Sequence, residues 1–122
     1  MDWLGLFVPR VARPRRRLES PASPRRDDLD RLQDLRRQGS KLRLPHPVRA
    51  FLRFDAEGPA REAADLLGQQ GYACAVRADP DGSWRLTTVT RVVPTPGALS
   101  RIREQLEAAG GAYQGWDAPV VR

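Results

Sequence analysis

One cysteine and one histidine stand among 122 residues, and that scarcity closes several routes at once. Cys74 has no partner for an internal disulfide, and with His46 it offers two ligands where a structural zinc site needs four. Iron–sulfur clusters normally take four cysteines, so no such centre is implied. No metal or cofactor is expected. Long apolar runs are also missing: the stretch Met1 to Val8 lacks a positive leading region and is too short to span a bilayer, so it reads as neither secretory signal nor membrane helix. A cytoplasmic location is the expectation. Lysine occurs once and arginine twenty times, a compositional bias of GC-rich coding that weakens any argument resting on a single arginine.

What is present fits one ordinary domain with one core. The net charge of +6 is unevenly placed. Residues 1–26 hold seven arginines against Asp2 and Glu19, whereas residues 27–122 hold fourteen basic and thirteen acidic residues and are nearly neutral. Prolines, arginines and serines from Val8 to Pro24 show no apolar period and cannot offset their ordering entropy. Residues 1–26 are therefore expected to be a disordered basic leader, and residues 27–122 the folded domain. Trp3, Leu4, Leu6 and Phe7 beside the arginine run could touch an anionic membrane or RNA.

Asp27 to Gln38 predicts a short helix with Leu29, Leu32 and Leu35 on a narrow stripe, acids at its start and arginines at its end. Val48 to Phe54 alternates as a strand. Asp55 is a candidate N-cap for a helix with Ala60, Ala63, Ala64 and Leu67 on one face, ending at Gly71. Tyr72 to Val76 and Trp84 to Val93 flank the turn Asp79-Pro80-Asp81-Gly82 and predict a hairpin. Thr95 caps a further helix carrying Leu99, Ile102 and Leu106, Gly110-Gly111 closes it, and Ala112 to Asp117 is a last strand. The order β-α-β-β-α-β predicts an α+β, ferredoxin-like antiparallel sheet with two helices on one face, preceded by a short helix.

Strand alternation then sorts the side chains. Val48, Ala50, Leu52, Phe54, Tyr72, Cys74, Val76, Trp84 and Leu86 should face the helices, and Arg49, Phe51, Arg53, Arg77, Arg85, Thr87, Val89 and Arg91 the other side. Tyr113 and Trp116, three positions apart, should point to opposite faces. A basic sheet face with an aromatic suits RNA, but modules of this topology stack bases on aromatics of the first and third strands, and Arg85 to Arg91 has none. The leading helix is a candidate cover for this face, because Asp27, Asp28, Asp30 and Asp34 would meet arginines.

Catalysis finds little support. His46 lies between two prolines with no serine or cysteine motif at usable spacing, and is expected to be a turn residue or surface contact. Cys74 alternates into the presumed core, where a thiol behaves as a small hydrophobe. Asp55, Asp79 and Asp81 are explained by capping and turns. The chain is not expected to be an enzyme.

Four pieces of sequence together resemble a known family: His46-Pro47-Val48 leading into Phe51-Leu52-Arg53-Phe54; Gly71-Tyr72; Thr90-Arg91-Val92-Val93-Pro94-Thr95; and Gly110-Gly111-Ala112-Tyr113-Gln114-Gly115-Trp116-Asp117-Ala118-Pro119-Val120. They are similar to the regulator of ribonuclease activity B family, also called ribonuclease E inhibitor B, with Tyr113-x-Gly115-Trp116 the most specific piece. The resemblance implies a non-catalytic, ferredoxin-like protein that binds an RNA-degrading endonuclease of the ribonuclease E type and lowers its activity. The expected partner surface is the open sheet face or its edge, with Arg49, Phe51, Arg53, Arg91 and Tyr113 or Trp116 as candidate contacts. The alternatives are direct RNA binding, or a protein-interaction module without ribonuclease inhibition.

Overall fold

A computed structural model describes residues 25–122. The expectations of a disordered leader and of an apolar anchor near Trp3 fall outside the described residues, save for Arg25, which flanks the first helix in extended conformation, and Arg26, which begins it. In chain order the elements are α1 (Arg26–Arg37), β1 (His46–Phe54), α2 (Glu57–Gln69), β2 (Ala73–Ala78), β3 (Trp84–Val92), α3 (Pro96–Ala108) and β4 (Ala112–Asp117). The four strands form one antiparallel sheet in the order β2-β3-β1-β4. The architecture is α+β, with three helices among the described residues.

The register carries the alternation across the sheet. On one face Val76, Leu86, Leu52 and Tyr113 align in one row, and Cys74, Thr88, Ala50 and Trp116 in the next. Ala60, Ala63 and Leu67 of α2 and Leu99, Ile102 and Leu106 of α3 complete this core, in which Leu52, Leu67, Leu86 and Leu106 are fully buried. Burying such an aliphatic side chain contributes roughly 1.5–3 kcal/mol. The same register places Arg49, Phe51, Arg53, Arg77, Arg85, Thr87, Val89 and Arg91 together on the opposite face, as strand alternation predicts.

Helix ends follow local chemistry at α3 and depart from it at α2. Thr95 Oγ1 accepts the Ala98 N–H at 3.0 Å, and Pro96 occupies the first turn, where its missing N–H costs nothing. Asp55 is not a cap: α2 begins at Glu57, so the flanking position falls on Ala56, which makes no side-chain cap. Gly110 closes α3 with a φ of 111°, and a side chain on Gly111 would sit 2.7 Å from the Phe54 ring. The first glycine turns the chain and the second lets it pass close to the core.

The leading helix lies elsewhere than the alternating charges suggest. Leu32 and Leu35 enter the core and Leu29 stays 44% exposed, while Asp28 is buried and accepts the Trp116 Nε1–H at 2.9 Å. Since Trp116 aligns with Ala50 on the helix-covered side, α1 docks beside α3 and does not cover the arginine face. Apolar burial and one buried hydrogen bond outweigh exposed ion pairs, which are worth about 0–1 kcal/mol each.

Candidate functional site

Among the described residues no helix packs on the second face of the sheet, and its side chains fall into four transverse rows. Ala112, Arg53, Arg85 and Arg77 form the first row and Gly115, Phe51, Thr87 and Ala75 the second. Asp117, Arg49, Val89 and Ala73 form the third, and Pro47 and Arg91 end the array. Phe51 is half-buried at the centre, with the Arg85 guanidinium carbon 5.7 Å from its ring centroid. That distance is within reach of a cation–π attraction.

Carboxylates at the margins hold part of this charge. Arg49 binds Asp117 in a two-pronged contact, Nε to Oδ1 at 2.7 Å and an N–H to Oδ2 at 2.9 Å. The hydrogen bond and then the charge of Asp117 raise the Arg49 pKa above its ordinary value. Arg53 lies 3.5 Å from Asp81 and Arg85 lies 3.6 Å from Asp79, both acids belonging to the β2–β3 turn. The Ser83 hydroxyl and backbone N–H donate to Asp81 at 2.6 and 2.9 Å and hold its carboxyl below the usual range. Arg77 and Arg91 have no carboxylate within 4 Å among the described residues.

Arg49, Phe51, Arg53 and Arg91 thus share one accessible face. Tyr113 and Trp116 are not on it. The expected split of the two aromatics is overturned by a β-bulge: the β1–β4 register shifts between Phe51 and Leu52, and Gly115 takes a φ of 109°. One additional residue cancels the alternation, so both aromatics turn to the helix-covered side. Trp116 is 3% exposed. Tyr113 is half-buried, and desolvation, followed by the charge of Asp28, raises its phenol pKa well above the ordinary value.

His46 also departs from expectation, being fully buried with both ring nitrogens engaged. The Leu44 carbonyl, 2.7 Å from Nδ1, can only accept, so Nδ1 carries a hydrogen and Nε2 faces the Ser40 hydroxyl at 2.6 Å. A serine on an oriented histidine is the layout of an activated nucleophile. Here the Ser40 oxygen also accepts the Val121 N–H at 2.9 Å, and Lys41 N–H donates to the Val121 carbonyl at 2.7 Å. A depression of about 390 Å³ lined by Arg36, Ser40, Lys41, Leu42 and Arg43 opens nearby, but Ser40 itself is buried. The pair works as a latch that ties the C-terminal residues to the α1–β1 loop. Its signal, a serine six positions before the histidine, is too common to have been singled out.

The profile of the family described as Regulator of ribonuclease activity B matches residues 25–118. The chain belongs to that family. Comparison with curated proteins and with solved structures gave no match. Membership covers nearly all of the described domain, from the start of α1 through the bulged β4. No helix among the described residues is long and apolar enough to cross a membrane.

Proposed function

We propose that this chain is a non-catalytic cytoplasmic regulator that binds an RNA-degrading endonuclease of the ribonuclease E type and lowers its activity. The docking surface is the helix-free sheet face, with Arg49, Phe51, Arg53 and Arg91 as contacts. Family membership supports regulation of a ribonuclease. The strand order, with β1 and β3 central and β2 and β4 at the edges, supports the ferredoxin-like reading of residues 27–122. The buried Ser40–His46 pair, saturated by backbone partners, supports a non-catalytic role.

One observation carries the choice of a protein partner over RNA. With Tyr113 and Trp116 on the covered side, Phe51 is the one aromatic ring on the open face of the described sheet. Stacking contributes about 1–3 kcal/mol per base, so a single ring cannot hold a strand of several bases. An aromatic ringed by arginines is instead the composition of a protein-interface hot spot.

The test measures cleavage of an RNA oligonucleotide by a ribonuclease E type enzyme with and without the chain. Wild type slows cleavage, Arg91→Glu weakens the inhibition while the melting curve stays unchanged, and adding Phe51→Ala relieves it in a chain that still unfolds cooperatively. Failure of wild type to bind or slow the enzyme overturns the proposal. RNA binding that persists without the enzyme and falls steeply with salt establishes the alternative.

A further inference from the structure

The two edges of the sheet are not equivalent. Along β4 the Gly115 bulge breaks the register, and the Gln114 side-chain amide donates to the Ala112 and Tyr113 carbonyls at 3.3 and 3.5 Å. Both features obstruct an incoming strand. The other edge, β2, runs Ala73–Ala78 in continuous register with β3, with no bulge, proline or lysine. Among the described residues its backbone makes no hydrogen bond outside that ladder. An edge strand in this state is a template for strand addition.

Charge selects what is added. Arg53, Arg85 and Arg77 stand directly opposite one another across β1, β3 and β2, and like charges so placed are destabilising. Asp81 offsets the first and Asp79 the second; Arg77, exposed at the free end, has no acid within 4 Å among the described residues. On the covered side Cys74 and Val76 are half-buried at the same edge. A second copy of this chain paired through β2 would bring a further Arg77 and no acidic residue, because that strand reads Ala-Cys-Ala-Val-Arg-Ala.

We propose that β2 takes up an extended acidic segment of the partner protein as a fifth strand. A carboxylate beside Arg77 gives the third arginine of the row the acid that Asp81 and Asp79 supply to the other two, and apolar side chains at alternate positions seal Cys74 and Val76. This rests on the protein-partner reading above and adds the partner's chemistry and its mode of attachment.

The probe is a short fluorescein-labelled peptide of alternating glutamate and valine, with an alternating lysine and valine peptide as control. On the full chain the glutamate peptide raises anisotropy saturably and slows amide exchange over residues 73–78. Arg77→Glu weakens that binding by about tenfold or more and transfers the preference to the lysine peptide. No binding, binding indifferent to Arg77→Glu, or protection on β4 instead of β2 overturns the proposal. So does a wild-type dimer paired through β2 that the peptide fails to dissociate. Ribonuclease inhibition measured in parallel separates this proposal from the one beneath it. Full inhibition by Arg77→Glu with peptide binding lost removes the edge and leaves the regulator. Peptide binding intact with no inhibition by wild type removes the ribonuclease and leaves the edge.

Discussion

Trp116→Phe tests the junction on which the α1–β4 packing depends. The indole N–H donates to the Asp28 carboxylate at 2.9 Å, and both residues are buried. A hydrogen bond to a charged acceptor contributes about 1.5–3 kcal/mol. The void left by the smaller ring costs about 1 kcal/mol for each methyl-sized gap. The expected loss is about 3 kcal/mol, a large share of the ~5–15 kcal/mol that holds a domain together. In a domain of this size it lowers the melting temperature by roughly 10–25 °C. Urea melts of wild type, Trp116→Phe, Asp28→Asn and the double variant form a cycle, and the pair should couple by about 1.5 kcal/mol or more. Effects that add within about 0.3 kcal/mol refute the contact as a stabilising element. Trp116→Phe that keeps its midpoint yet no longer binds the partner refutes the assignment of Trp116 to the core.

Other perturbations test separate parts of the fold. Gly115→Ala places a side chain at a φ of 109°, where the surrounding space is open but the backbone is strained; a loss of about 1–2 kcal/mol in denaturant melts is expected, and a neutral result removes the need for glycine at the bulge. Burial raises the Cys74 thiol pKa, so the folded chain alkylates several-fold more slowly than free cysteine at mildly alkaline pH, and equal rates contradict the burial. Desolvation raises both phenols, Tyr72 and Tyr113. Their protonated forms therefore stabilise the fold fully below the unfolded tyrosine pKa of about 10, and that contribution is lost as pH rises through the folded values. Phenolate absorbance growing at the ordinary pH in the folded chain contradicts this. Arg77→Glu relieves like-charge contact with Arg85, and equal or greater stability by about 0.2–1 kcal/mol is expected in thermal melts; a clear loss shows that the row is compensated in some other way.

How much was legible follows from which forces are local. The two central strands are each nine residues long and buried on one side, so a period of two determined which side chains share a face before any packing was known. Thr95 and the Gly110-Gly111 pair marked α3 because capping and chain reversal need only neighbours in sequence. The address of α1 was illegible: a three-residue leucine spacing makes a stripe but does not say against what. Its partner, Trp116, lies 88 positions from Asp28. The reading that laid α1 over the arginine face had weighed charge where apolar burial decided.

Gly115 did carry a usable signal, since a glycine inside a strand often marks a bulge. Its consequence reaches function. Strict alternation would have left a second large aromatic on the open face, Tyr113 or Trp116, beside Phe51, and with the arginines around them a surface able to stack bases. The bulge sends both rings to the core. The open face keeps charge, small side chains and one ring. Such a surface attracts any polyanion but has little with which to read bases, whereas acidic side chains of a protein can meet its arginines one by one. The proposed preference for protein over RNA therefore rests on one left-handed residue in β4. A variant that removes the bulge and exposes either ring should bind single-stranded RNA more tightly than wild type in a salt titration, and unchanged RNA affinity with the ring exposed breaks that link.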